Sequence, residues 1–362
     1  MLYGIREYSI SHDPWAFYYE EPFYEKRRFH TIEQIIEWGP DGIITRNWQD
    51  AQKIRDSGIP VIVAIHMEEP LEGIPSVVGD NEAMGKLAAE YLISRGFKNF
   101  AFFGFDDMFW SRQREEAFVS AIGKSGYKCL VAKFSKIEHS NNTEIMLLSK
   151  WLDRLHKPVG ILTCNDDRAR QLIEASKMAD VIIPDQVAIL GIDNDELICD
   201  LSYPTISSVS LNIQHAGYEV AKLLDAMMNG YKPIFDKIIV TPISVIDRMS
   251  TDVFHVQDEE VCEALKFINE HSSEMIQVED VAKAVGISKR ALQMRFMAEL
   301  GYSIFERIKK VKVEQMARLL INTNMSVHEI AIKLGFANIN NVSRYFKIDK
   351  GISPREYRKA YR

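Results

Sequence analysis

The sequence contains no apolar run near the roughly 20 residues that a membrane-spanning helix needs. Its start, Met1 to Asp13, lacks the charged-then-apolar layout of a secretory leader. A cytoplasmic protein is the expectation. Cysteine is scarce: Cys129, Cys164, Cys199 and Cys262 stand far apart, without a CxxC or a Cys/His grouping. That spacing suggests neither a zinc site nor a disulfide framework and leaves buried free thiols. There is no Walker loop, no GxSxG elbow and no carboxylate pair attached to a motif, so no catalytic residue, metal or cofactor is expected.

What is present is enough for two or three globular domains: 362 residues, 46% hydrophobic and 26% charged. The net charge of −7 averages unlike segments. Residues 281–362 hold 17 Lys and Arg against 6 Asp and Glu, whereas the rest holds 27 against 45. A basic C-terminal part on an acidic chain points to one domain that meets phosphates.

Residues 278–300, VEDVAKAVGISKRALQMRFMAEL, break into two amphipathic stretches around Gly286. Val281, Ala282 and Val285 line the first, and Leu292 and Phe296, four apart, line the second. Gly286 supplies the turn and Ser288 the N-cap. The small Ala282 allows a close helix crossing, and the spacing Ala282, Gly286, Leu292 is that of a helix-turn-helix. The arrangement recurs. A predicted helix from about Tyr302 to Ile321 leads to Ser326 and Glu329 in capping-box spacing, then Ala331, Gly335 and a predicted helix from Asn338 to Asp349.

Residues 319–358, LLINTNMSVHEIAIKLGFANINNVSRYFKIDKGISPREYR, resemble the signature of AraC-type regulators, with the likeness covering about 258–362. Asn340 and Val342 stand where Ser and an aromatic are common, and Asp349-Lys350 replaces a more apolar pair. The resemblance implies two helix-turn-helix units reading successive major-groove segments of double-stranded operator DNA. By helix geometry, Lys289, Arg290, Gln293 and Met294 project away from the Leu292/Phe296 stripe, and Asn340, Ser343, Arg344 and Lys347 away from Val342 and Phe346. Arg, Gln and Asn are the types that bond guanine and adenine edges in pairs. Arg290, Gln293, Asn340 and Arg344 match base-reading positions, while for Lys289 and Lys347 phosphate contact and idle surface remain equal alternatives.

Upstream, short apolar runs (GIITR, PVIVAIH, NFAFFGF, VGILTCN, QVAILGIDN) alternate with helical segments. Buried strands alternating with helices predict a parallel α/β fold, in two lobes, with ligands at the carboxyl ends of the strands. Polar residues gather at those ends.

GDNEAMG near residue 80, SRQREEAF at 111–118, TCNDDRAR at 163–170, ILGIDNDEL at 189–197 and IDRMST at 246–251 resemble the LacI/GalR effector domain, which has the periplasmic sugar-binding fold. That resemblance implies sugar contacts from Asp80, Arg114, Asn165 and Asp193, with Trp110 covering an apolar sugar face. His66, Phe105 and Asp106 are open alternatives, and Asp167, Arg168 and Arg170 read as structural or interlobe residues. The family begins with a strand, but Met1 to Tyr8 reads as the end of the helix after it, with WAFYYEE at 15–21 as the second strand. A start upstream is the expectation, because losing a central strand exposes two sheet edges.

The expected architecture is therefore a two-lobed α/β periplasmic-binding-protein-like sensor, 1–250, a linker, 251–257, and an all-α double helix-turn-helix domain, 258–362. The combination resembles sugar-operon regulators, which implies a homodimer whose effector is an aldopentose, xylose first, and which closes on sugar to alter engagement of half-sites and RNA polymerase. A sugar-active enzyme or a solute-binding receptor of a transport system are the alternatives. The first lacks a catalytic motif and the second leaves the basic C-terminus without a role.

Overall fold

The computed structural model of the chain describes residues 1–18, 31–64, 74–134, 141–234, 236–256, 258–336 and 339–361. The chain divides into two units: 1–81 with 108–110 and 212–241, and 82–107 with 111–211 and 242–362.

In the first unit the elements are α1 (Leu2–Ser11), α2 (Ile32–Trp38), β1 (Ile43–Thr45), α3 (Trp48–Asp56), β2 (Val61–Ala64) and β3 (Ser76–Gly79), joined later by α9 (Ile213–Met228) and β9 (Lys237–Val240). Its sheet runs β1-β2-β3-β9, all parallel. Successive strand residues face opposite sides, so Ile43 joins α2 and α3 in a cluster with Ala51, Ile54, Val61 and Val63, while Ile44 joins α1 and α9 around Ile5, Tyr8 and Ala221. The α1/α9 crossing is close. A Cβ on Gly4 would lie 1.8 Å from the Gln214 carbonyl oxygen, and one on Gly217 2.1 Å from that of Met1, so both positions need glycine.

The expected strand WAFYYEE is corrected in its described part. Residues 15–18 are not a strand, and 19–21 fall outside the described residues, as does His66. Trp15 is held instead to the end of α1, where its backbone N–H donates to Ser9 Oγ at 3.0 Å and its ring packs 5.9 Å from that of Tyr8.

The second unit comprises α4 (Asn81–Ser94), β4 (Asn99–Phe105), α5 (Phe109–Lys124), β5 (Cys129–Phe134), α6 (Asn141–Arg154), β6 (Val159–Thr163), α7 (Asp166–Met178), β7 (Val187–Asp193), α8 (Glu196–Leu201), β8 (Ser207–Leu211) and β10 (Pro242–Ile246). The first residues of α4 and α5 belong to the other unit. Sheet order is β10-β8-β7-β6-β4-β5, parallel except for β10 against β8. The central strands are buried along nearly their whole length, which is why they read as unbroken apolar runs rather than alternations.

The helical C-terminal part follows as α10 (Glu259–Glu270), α11 (Val278–Val285), α12 (Lys289–Leu300), α13 (Ile304–Asn322), α14 (Val327–Lys333), α15 (Ile339–Lys350) and α16 (Pro354–Tyr361). Local chemistry sets these boundaries. Ser288 accepts from Ala291 N, Ser303/Glu306 and Ser326/Glu329 form capping boxes, and Gly286 ends α11 at φ 79°. Two separate cores result. Ile304, Ile308 and Val311 of α13 pack with α10, α11, Leu292 and Phe296; Val313, Met316, Ala317 and Leu320 of the same helix pack with Ile330, Ala331, Val342, Phe346 and Tyr357.

Because each core closes on itself, Phe346→Ala should cost about 3–5 kcal/mol, the usual range for removing a buried aromatic. In the full-length chain, amide exchange should rise first across residues 327–357. An equal rise across 278–300 would show one common core.

Candidate functional site

The carboxyl ends of β6 and β7 converge on one arrangement of charge in the second unit. Arg114, on α5 and only 8% exposed, donates through Nη1 to the Cys164 carbonyl oxygen at 2.6 Å and through Nη2 to Asp193 Oδ1 at 3.0 Å. The first contact locks the guanidinium, and the second leaves a half-exposed carboxylate beside it at the end of β7. Asp193 sits at φ 106°, which side-chain-bearing residues rarely adopt, and Asn194 follows at φ 51°, a left-handed value that asparagine tolerates. Such backbone persists only where its surroundings hold it.

The holding groups are visible. Asp166, at the start of α7 and 2% exposed, accepts from Ser208 Oγ at 2.6 Å and from the Asp195 N–H at 2.7 Å. Ser208 Oγ also accepts from Asn194 N at 3.0 Å, while Arg248 donates to Asn194 Oδ1 at 2.9 Å and to Asp200 Oδ1 at 2.7 Å. A Cβ on Gly191 would fall 2.1 Å from Asp166 Oδ1, so glycine is what lets that carboxylate enter. Burial pushes the Asp166 carboxyl up to about 7, and the Asp193 charge adds to the rise against the two hydrogen bonds it accepts.

Arg114, Asn165 and Asp193 are thus gathered at one end of the sheet. Asn165 is the N-cap of α7, its Oδ1 accepting from Arg168 N at 3.1 Å. Asp80 and Trp110 belong to the first unit, Asp80 directly after β3 with its N–H donating to the Val240 carbonyl oxygen at 2.8 Å. Among the open alternatives, Phe105 lies 3.8 Å beneath the Arg168 guanidinium, and Asp106 pairs with Lys133 at 3.4 Å. Arg168 is buried against Glu144, which matches a structural residue. Asp166 and Arg248 were not anticipated as site residues; their only signal was inclusion in the TCNDDRAR and IDRMST segments. Cys164 and Cys199 are buried, and Cys129 and Cys262 are partly so. Burial raises the Cys164 thiol to about 11, which leaves it a poor nucleophile.

On the helical part, Leu292 and Phe296 are buried while Lys289, Arg290, Gln293 and Met294 are exposed. Likewise Val342 and Phe346 are buried while Ser343, Arg344 and Lys347 are exposed. Asn340 lies in α15, its side chain outside the described residues. Lys289 pairs with Glu279 of α11, an exposed bond that a phosphate can replace at little cost. Both outer faces therefore present donors along one side of a helix-turn-helix second helix.

Two family models match, one for a periplasmic binding protein-like domain over residues 89–251 and one for a helix-turn-helix domain over 281–360. The chain is 30% identical to the xylose operon regulatory protein of Escherichia coli (strain K12) over 369 residues, covering 98% of this chain and 92% of that protein. The protein of the same name from Haemophilus influenzae is 30% identical over 367 residues, 98% and 93% of the two chains. Among solved structures, that of a xylose-binding transcription activator superposes with a TM-score of 0.61 at 29% identity, covering 99% of this chain and 93% of that one.

The raised Asp166 carboxyl gives a pH test. A folded value near 7 against about 4 unfolded means its contribution is fully present below about pH 4 and is lost as pH rises toward 7, by about 1.4 kcal/mol per unit of difference. Relative to Asp166→Asn, which does not titrate, the wild-type chain should lose stability in denaturant titrations between about pH 4 and pH 7. Parallel pH profiles for the two proteins would show that Asp166 stays ionised throughout.

Proposed function

The chain belongs to the family of the xylose operon regulatory proteins, and we propose that it is a xylose-responsive activator of pentose catabolism genes. It is a DNA-binding transcription regulator with a sugar-sensing part, and the relatives that match along its length are regulators rather than enzymes. The observation that carries the finer reading is that the similarity runs the length of both chains and joins a binding-protein-like fold to a helix-turn-helix domain. A transport receptor would have no use for the second.

We assign 1–250 to sugar sensing, 251–257 to the joint and 258–362 to DNA. Arg114, Asn165 and Asp193 take sugar hydroxyls, and Asp80 and Trp110 are the further sugar contacts in this proposal. The Arg114–Asp193 pair suits a polyol because a hydroxyl donates to the carboxylate and accepts from the guanidinium. Lys289, Arg290, Gln293, Met294, Asn340, Ser343, Arg344 and Lys347 meet the operator, the arginines and amides at base edges and the lysines at phosphates. A cytoplasmic homodimer that engages RNA polymerase completes the proposal, with sugar shifting the population between DNA-engaging and released forms.

Calorimetry across pentoses and hexoses should give xylose as the tightest ligand. Asp193→Ala should weaken it by about 1–3 kcal/mol for each hydroxyl left unpaired while operator affinity without sugar stays unchanged. Unaltered xylose affinity would remove Asp193 from the site. Arg344→Ala should cost about 1–3 kcal/mol on operator DNA and relax preference at one base position. Equal losses on operator and random DNA would reduce Arg344 to a phosphate contact.

A further inference from the structure

Within the second unit, the DNA-binding part is seated directly on the α/β part. The His255 N–H donates to the Arg95 carbonyl oxygen at 2.8 Å, Phe254 joins the first helix-turn-helix core, and Arg318 of α13 donates to the Val245 carbonyl oxygen at 3.0 Å. Around these contacts a cavity of about 460 Å³ is left between α4, the end of β10 and α13. That size is in the range of metabolite pockets.

Its lining carries six cationic side chains and five carboxylates, with three of the cations on α13. Arg307, Lys310 and Arg318 come from α13, Lys350 from the end of α15 and Arg95 from the turn that follows α4. Arg95 is 2% and Arg307 7% exposed. The Nε atoms of Arg95, Arg307 and Arg318, Arg95 Nη1 and Ser244 Oγ are buried without a hydrogen-bond partner. Four of these five atoms are obligate donors, and a buried unmet donor costs more than a typical hydrogen bond gains.

The acids nearby meet only part of this need: Asp252 stands 3.9 Å from Arg95 Nη1, an ion pair beyond hydrogen-bond reach. Asp247 is occupied by Arg95 Nη2 at 2.8 Å and by the Tyr91 hydroxyl, and Glu90 stands 3.9 Å from Lys310. Arg307 and Arg318 have no carboxylate at ion-pair distance among the described residues. Glu270 and Glu314 also line the space, and burial raises the Glu314 carboxyl. Those two groups would repel a bare anion but can bond hydroxyls.

We propose that this cavity is a second small-molecule site, separate from the Arg114–Asp193 site, that takes a phosphorylated sugar: the phosphoryl oxygens on the guanidinium groups of Arg307, Arg318 and Arg95, the hydroxyls toward Glu270 and Glu314. Three guanidiniums suit a tetrahedral oxyanion because each offers forked donors. The ligand would touch the α/β part through Arg95 and Ser244 and the DNA-binding part through α13, so its occupancy would couple to DNA affinity, and DNA to its affinity by the same factor.

The test is calorimetric titration of the full-length chain at fixed ionic strength with ribose 5-phosphate, glucose 6-phosphate, inorganic phosphate and free ribose. The expected result is one saturable site per chain for the sugar phosphates, weaker competing binding of inorganic phosphate and none of free ribose there. Arg307→Gln and Arg318→Gln should each weaken it by about tenfold to a hundredfold, the usual loss for a hydrogen bond to a charged group, while leaving xylose affinity unchanged. If Arg307→Gln does not fold, Arg318→Gln carries the test, since that less buried side chain is held by its bond to the Val245 carbonyl oxygen. The proposal is overturned by absence of saturation by about 10 mM, by unchanged affinity in Arg318→Gln, by loss in Arg114→Ala, which would place the ligand in the first site, or by loss in Arg344→Ala, which would place the phosphate on the DNA-contacting face.

Discussion

A single helix shared by two hydrophobic cores is the constraint on which the DNA-binding part depends. The N-terminal half of α13 closes the first helix-turn-helix and the C-terminal half closes the second. Neither reading helix can shift along α13 without opening a packed core, and cores are close-packed enough that even small voids are costly. Two further bonds hold the ends. Buried Lys312 donates to the Gly335 carbonyl oxygen at 2.9 Å, fixing the second turn, and Arg358 Nε donates to the Leu320 carbonyl oxygen at 2.9 Å, closing the end of α13.

At the carboxyl ends of β6 and β7 the same logic operates through polar groups. The turn at Asp193 and Asn194 is held by Asp166, Ser208 and Arg248, which sets the carboxylate beside Arg114. Preorganisation of this kind lowers the ordering cost of binding. The backbone from Ser244 to Val256 then runs from that fold into the first helix-turn-helix core through Phe254, so the joint is packed rather than slack.

Much of this was legible in the sequence because it rests on local chemistry. Gly286 with Ser288 and Gly335 with Ser326 mark turns and caps by residue type alone, and the helix predicted from Tyr302 to Ile321 is Ile304–Asn322. Strands buried on both faces announce themselves as apolar runs. Asp193 was readable from its place after such a run. Asp166 was not, because an acid at a helix start is ordinary and its partners Asp195 and Ser208 lie 29 and 42 residues on. Arg307 and Arg318 look like surface residues of an amphipathic helix until Asn269 and the Val245 carbonyl oxygen are seen to engage them. The strand expected at 15–21 is absent from its described part, 15–18, for the same reason: Ser9 and Tyr8, not a neighbouring strand, decide where Trp15 goes.

The rigid spacing of the two reading helices is tested most directly by methylation protection of operator DNA by the full-length chain, with and without xylose. Each protomer should protect two major-groove windows about 10 base pairs apart on one face of the duplex, and that spacing should be identical in both conditions even where occupancy changes. A single window per protomer, or a spacing that moves when xylose is added, would contradict the shared-helix account.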